Sequence, residues 1–293
     1  MELTSSKIRV RQSLIDESFN IDITNRYRLF IQMGNDFLSA CVLDESRKKF
    51  ICLEDFHFPF SENAGMLAEK CEFARQQSKL LTSEDFLSVN CCVSFPKSVL
   101  VPEPLYDKHA EKHMLDFNFG EGSEEIILSD ELKLIHAKNL FCIPPVVEKM
   151  FHYWFRNIAI HHQSTSLISS ILIANKNRQD RSVTVNVRTE DFDIVVTEGS
   201  KLIFHNCFHY KTSEDFMYFI LFVFEQLQLN PETIEMKLAG DIDRFNPLYK
   251  SACRYVKKVD FCELPPFYKY SYKLEDLPPG TYYSLFSQHL CGS

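Results

Sequence analysis

Two stretches of this chain share one layout: three short strands in succession, then a helical run, then further strands. Residues 28–58 contain RLFIQMG, FLSACVLD and KFICLEDFHF. Residues 182–208 contain SVTVNVR, FDIVVTEG and KLIFHNCF. Apolar runs of this length between turn residues read as strands, and an internal repeat constrains the whole fold. The repeat predicts two similar lobes with a cleft between them. Gln32 and Asn186 hold equivalent places in the two leading strands.

Composition agrees with two cores. The chain has 293 residues, room for one large domain or two ordinary ones. It carries 26 Phe against one Trp, enough bulky apolar residues for two packed interiors. The net charge of −8 argues against nucleic acid or an anionic membrane as the main partner. The longest basic cluster, Arg47-Lys48-Lys49, falls at an expected hairpin tip, where charges are solvated. No run reaches the ~18 apolar residues that cross a bilayer. Phe216–Phe224 is too short and runs into Glu225, and the N-terminus MELTSSKIRVRQSLIDES has no apolar signal core. The expected location is cytoplasmic, without membrane insertion. The ten cysteines form no CxxC pair and match no zinc spacing, so most of them, among them Cys41, Cys52, Cys91, Cys92, Cys142 and Cys207 in apolar runs, read as small buried hydrophobes in a reducing compartment.

Residues 1–26 read as a polar N-terminal extension running loosely over the surface. The first lobe, 27–177, continues after its meander with a helix over 64–81, on the spacing of Leu67, Cys71, Ala74 and Leu81. Strands at 87–95 and 98–102 follow, broken by Pro96-Lys97. Next come an amphipathic helix over 107–117, a loop opened by Gly120 and Gly122, and strands in EEIILSD and ELKLIHAKNLFCI. Pro144-Pro145 starts a helix at the position where proline is tolerated. The strand 158–162 and the helix Ser164–Ala174 complete the lobe. The second lobe, 178–293, runs meander, helix Thr212–Leu227, strand Thr233–Leu238, helix Phe245–Cys253 and strand Val256–Cys262. Thr212 or Ser213 caps the first of these helices, with Asp215 near its positive end. A proline-punctuated tail ends in a helix, TYYSLFSQHL.

Three antiparallel strands followed by alternating helix and strand resemble a ribonuclease-H-like unit. Two such units resemble the plan of actin-like ATPases, sugar kinases and heat-shock chaperone ATPases. The implied class is α/β: a duplicated ribonuclease-H-like, actin-like ATPase fold with mixed sheets, into whose first lobe the strands at 98–143 are inserted. In that superfamily the turn after each leading strand holds phosphates, with an Asp on the strand and a Gly two residues on. Here Gln32 takes the place of the Asp and Gly34 is present. In the second lobe Asn186 takes the place of the Asp, and Arg188 stands where the Gly belongs. Amides are poorer ligands for a hard cation than carboxylates, and Glu190 and Asp191 add negative charge where phosphates would lie. Gly240 ends the adenosine-facing strand, with Asp241 in place of a second Gly. A lone Gly there reads as a strand-to-helix turn needing a permissive residue. The set Gln32, Gly34, Asn186, Arg188, Gly240 and Asp241 is thus a degenerate nucleotide cleft. The expectation is no magnesium-dependent phosphoryl transfer, no catalytic residue, no metal and no cofactor, with room left for weak nucleotide binding.

A more specific resemblance lies in Ser94-Phe95-Pro96-Lys97-Ser98-Val99-Leu100-Val101-Pro102-Glu103-Pro104-Leu105-Tyr106-Asp107 and the helix through Leu115-Asp116-Phe117-Asn118. With the ending SLFSQHLCGS, it is similar to an uncharacterised family typical of Bacteroidetes. The resemblance covers the chain from about Tyr27. Members have an actin-like ATPase fold, no established function and no assigned catalytic residues to carry over. Relatives in fold include cytoplasmic platform proteins of pilus assembly and type II secretion, some of which bind a partner's peptide. The implied role is a catalytically inactive, partner-binding or scaffold protein. The alternative is a divergent ATPase or kinase using Asp36, Asp191 or Asp241.

Two partner surfaces stand out. Phe95, Val99, Val101 and Leu105 lie on a run whose prolines suit an edge strand open to a partner's strand. Tyr268 and Tyr270 belong to an aromatic tail that reads equally as a partner surface or as a strap over the second lobe. His109 and His113 are four apart, but two ligands make no metal site, and a polar helix face explains them. His161 and His162 are adjacent on a strand and point to opposite faces.

Overall fold

The computed structural model describes residues 8–83, 85–120, 125–265 and 267–290. Met1–Lys7, Gly122 of the expected loop, Pro266 and the last three residues of the expected C-terminal motif lie outside them. The chain runs β1 (Arg9–Ile15), β2 (Tyr27–Met33), β3 (Phe37–Asp44), β4 (Lys49–His57), α1 (Ala64–Gln77), β5 (Ser88–Val93) and β6 (Ser98–Pro102). It continues with α2 (Glu111–Phe119), β7 (Ile126–Leu132), β8 (Ala137–Ile143), α3 (Pro145–Trp154), β9 (Ile158–His162) and α4 (Gln163–Asn175). Then come β10 (Arg181–Val187), β11 (Asp191–Glu198), β12 (Lys201–His209), α5 (Ser213–Gln226), β13 (Glu235–Gly240) and α6 (Pro247–Tyr255). Last are β14 (Lys258–Phe261), β15 (Lys269–Tyr270) and α7 (Tyr283–Phe286). Among the described residues no helix is long and apolar enough to cross a membrane.

The chain divides into two units. The first holds residues up to Ser166 together with 267–276. Its main sheet has the order β1-β4-β3-β2-β5-β9, with β15 also on β4. β5 and β9 lie parallel to β2, whereas the meander is antiparallel. Leu29, Ile31 and Met33 of β2 face a core completed by Leu67 and Cys71 of α1 and by Phe151 and Trp154 of α3. Each such large side chain contributes about 1.5–3 kcal/mol by leaving water. The Trp154 indole N–H, buried at the seam of the two helices, donates to Glu72 at 2.7 Å. A separate three-stranded sheet, β6-β8-β7, carries its own small core of Val101, Leu115, Leu140 and Cys142.

The second unit holds 167–265 and 277–290. Its sheet runs β12-β11-β10-β13-β14, antiparallel through the meander and parallel beyond it. That is the order β4-β3-β2-β5-β9 again, so the repeat read in the sequence is a repeat of topology. α5 opens on a full capping box, in which the Thr212 hydroxyl takes the Asp215 N–H and the Asp215 carboxylate takes the Thr212 N–H. Phe216, Ile220, Val223 and Phe224 of α5 pack on Val183, Val185 and Ile194 of the sheet.

Four local expectations change. Residues 9–15 are a strand on the outer edge of β4, where the backbone of an edge strand satisfies itself without an apolar pattern. The helix over 64–81 ends at Gln77, because buried Glu54 draws the chain out of the helix: it accepts the Ser78 hydroxyl and the Lys79 N–H. In ELKLIHAKNLFCI, Lys133–Ile135 form a tight turn closed by left-handed His136, so one expected strand becomes a hairpin arm and a corner. The final helix shortens to Tyr283–Phe286 followed by a 3-10 turn.

Candidate functional site

The two equivalent turns follow β2 and β10. In the first, Gln32 is buried, and its Nε2 donates to Oε1 of Gln163 at 3.0 Å. The same oxygen accepts the Ser94 hydroxyl. Sheet register sets Gln32 beside Ser39 of β3 and Ser39 beside Asp55 of β4. The Ser39 hydroxyl donates to Asp55 Oδ1 at 2.6 Å, and His57 Nε2 lies 3.3 Å from Asp55 Oδ2. A buried carboxylate is thus present two strands from Gln32, already engaged by neighbours. Gly34 serves a ring: a Cβ there would fall 2.4 Å from the Phe37 side chain, which stacks on His57.

The second turn repeats the row with other residues. Asn186 is buried and pairs in register with Asp193 of β11, which pairs with Cys207 of β12. Asn186 Nδ2 donates to Asp193 Oδ2 at 3.4 Å, and its Oδ1 accepts the Ser284 hydroxyl of α7 at 3.2 Å. The Arg188 guanidinium forms an ion pair with Asp193 Oδ2, and His205 Nε2 lies 3.3 Å from Oδ1. Burial pushes the Asp193 carboxyl up, but the Arg188 charge and the His205 hydrogen bond outweigh it and hold the group well below the usual carboxylate range. Burial likewise opposes the charge on Arg188, and Asp193 overcomes it, so the guanidinium stays protonated. Arg188 also reaches Cys207 Sγ at 3.0 Å. Burial pushes that thiol up to about 12 against the opposing Arg188 charge, which leaves it unreactive.

Gly240 stands beside Val187 in the parallel register, at the end of the strand next to Asn186. It has φ of +89°, and a Cβ would lie 2.1 Å from the Val187 carbonyl oxygen, so only glycine fits. Its N–H donates to the Gly280 carbonyl at 2.9 Å, and the Asp241 N–H donates to Val187 O at 2.8 Å. Asn186, Arg188, Gly240 and Asp241 therefore gather at one end of the second sheet. The C-terminal segment is bonded into that end through Gly280 and Ser284. Gln32 and Gly34 sit together at the corresponding end of the first sheet.

The expected partner residues separate. β6 is an edge strand of the small sheet, paired only with β8 among the described residues. Val99, Val101 and Leu105 line a groove of about 240 Å³ with His113, Met114, Phe117 and Asn118 on the α2 side. Leu105 is 69% exposed and Phe117 84%. Phe95 instead belongs to the core of the first unit, and its carbonyl binds His162 Nε2 at 2.8 Å. Tyr268 and Tyr270 both pack on Phe50 of β4, with ring centroids 5.5 Å away in each case. The tail at 267–276 thus straps the first unit, where the sequence suggested the second.

His109 lies in the 3-10 turn Lys108–Ala110 and His113 in α2. Among the described residues no three His, Cys, Asp or Glu side chains gather as a ligand set. His161 Nδ1 binds Asp130 at 2.8 Å, and Asp130 also takes the His162 N–H and the Thr165 hydroxyl, which fixes the start of α4. Sequence reading missed Asp55, Asp193 and Gln163. The signal for the two aspartates was a carboxylate buried within a largely apolar strand, Asp55 beside Glu54 in β4 and Asp193 two residues after Asp191 in β11. Only the cross-strand register shows that each shares a row with the amide.

Topology and paired turns define the class as an actin-like ATPase fold. A family model of proteins of unknown function (DUF3822) matches residues 16–259, and the chain belongs to that family. Among solved structures it is similar to a Bacteroides thetaiotaomicron protein with an actin-like ATPase fold and unknown function. The identity is 19% over 83% of this chain and 93% of that one, with a TM-score of 0.71. It is also similar to a chain of the PilM-PilN type IV pilus biogenesis complex, at 12% identity over 90% and 98% of the two chains, with a TM-score of 0.61. A search of curated proteins gave no match.

Proposed function

We propose that this chain is a partner-binding module built on an actin-like fold, without magnesium-dependent phosphoryl transfer, working in the cytoplasm. One observation carries the reading: the Asn186 amide has both ends hydrogen-bonded, to Asp193 and to Ser284 of the chain's own tail. Phosphoryl transfer in this class of fold depends on charged groups free to hold a metal and phosphates. Here the nearest carboxylate is neutralised by Arg188. The likeness to a chain of a pilus biogenesis complex supports a protein as the thing bound. The surface offered for it is the β6 edge with its groove, which suits an extended segment bearing a bulky apolar side chain.

Two measurements test the proposal. A nucleotide that bound the folded state at a concentration 100 times its Kd would stabilise it by about 2.7 kcal/mol and raise Tm by several degrees. The expected result with ATP and magnesium is no shift and no hydrolysis above blank; a clear shift with turnover defeats the reading. Leu105→Ser and Phe117→Ser alter exposed side chains and should leave Tm unchanged while reducing retention of the native partner on an affinity column. Undiminished retention by both variants removes the groove from the proposal.

A further inference from the structure

β12 ends its sheet, and among the described residues nothing pairs with its outer edge. Its counterpart in the first unit, β4, is covered: β1 pairs with residues 52–57 and β15 with 49–50. β12 is nine residues long, and its stretch 202–208 contains no Lys, Arg, Asp or Glu. An uncharged edge of that length is a template for a further strand. The Cys207 N–H shows which backbone groups face outward, for it donates to the adjacent Asn206 Oδ1 at 3.0 Å instead of to β11. By strand alternation the backbone groups of His205 and His209 face outward as well. On the helix side, aromatic rings lead from the edge to the surface. Phe204 stacks on Phe208, Phe208 on Phe219, Phe219 meets Tyr218, and Tyr218 stacks on Phe222. Tyr218 is 63% exposed and Phe222 44%.

We propose that β12 is the interface between two copies of this chain, paired antiparallel about a two-fold axis at Asn206. In that register His205 and Cys207 of one copy exchange backbone hydrogen bonds with Cys207 and His205 of the other. Phe204 then faces the second copy's Phe208 in a non-hydrogen-bonded pair, where Cα atoms approach to ~4.5 Å and side chains touch best. The same patch serves both copies, as a two-fold contact requires. Asn206 releases the Cys207 N–H as the second strand arrives. Lys201 meets the second copy's Lys211 only at the exposed ends, where solvent screens the charges. A nine-residue strand is ~30 Å long, and with the helix beside it the strip is ~20 Å wide. Two such strips bury ~1,200 Å² in all, the lower bound for a specific interface. The pairing would join two five-stranded sheets into one of ten.

Sedimentation velocity of the full chain over the micromolar range tests this. The expected species is a dimer. Asn206→Lys sets two ammonium groups face to face on the axis and should raise the dimer dissociation constant about 100-fold or more, with the circular dichroism spectrum unchanged because Asn206 is exposed. Tyr218→Lys with Phe222→Lys should weaken the dimer without touching the strand. For the register, Asn206→Cys in a Cys253→Ser background should form a 206–206 disulfide on mild oxidation, since non-hydrogen-bonded partners lie within disulfide reach. A monomer at every concentration overturns the proposal and leaves the edge to a strand of a different protein. A dimer indifferent to Asn206→Lys overturns it too, and absence of the disulfide in a dimer overturns the register. All these outcomes are independent of nucleotide and of the β6 groove.

Discussion

Arg188 and Asp193 form a largely buried charged pair, and such a pair matters most when half of it is removed. Asp193→Asn leaves the guanidinium buried without its counter-charge and should cost about 3–5 kcal/mol in urea unfolding. Arg188→Met with Asp193→Leu should recover part of that loss, since it removes the unpaired charge while leaving Asn186 and His205 without their acceptor. The acid response follows from the sign of the shift. Asp193 is depressed in the folded state, so its stabilisation is complete above the unfolded value of about 3.9 and is lost as pH falls below it. The urea midpoint of the native chain should therefore drop more steeply below about pH 5 than that of the double variant. The two glycines make a second contrast. Gly240→Ala meets a backbone oxygen at positive φ and should destabilise by about 3 kcal/mol, whereas Gly34→Ala meets a side-chain ring that can turn, and should cost less.

At the scale of elements, β1 protects the edge of β4 and Tyr270 extends that protection by stacking on Phe50. Removing residues 1–15 should expose a strand edge and produce concentration-dependent aggregation, read by light scattering. The meanders were legible in the sequence because their strands are predominantly apolar runs set between turn residues. β1 was not legible: RVRQSLI is mostly exposed, and an edge strand is held by its backbone. Capping chemistry was legible at Thr212 and Asp215, where short-range groups decide the structure. The candidate site was legible only along the chain. Gln32 and Asn186 could be read from their place in the repeat, but Gln163 lies 131 residues from Gln32 and Ser284 lies 98 from Asn186. Such partners are set by tertiary packing, which leaves no local pattern. Phe95 went from partner surface to core for a related reason: it lies in the link between β5 and β6, and only the packing of the first unit shows that its ring turns inward.

At the scale of the molecule, the duplication accounts for most of the architecture, and the departures from it carry the individuality. One unit covers its outer strand, and among the described residues nothing pairs with that of the other; one row holds Gln-Ser-Asp and the other Asn-Asp-Cys. The tail serves both units, residues 267–276 with the first and 277–290 with the second. Stopping the chain after Pro265 should therefore weaken both, and limited proteolysis should cleave within each unit faster than in the intact protein. During synthesis this arrangement imposes a delay. The first unit leaves the ribosome with β15 still to be made, so the outer edge of β4 near Phe50 stays open until Lys269 and Tyr270 arrive. A nascent chain that stops before β15 would then leave the ribosome with that edge still open.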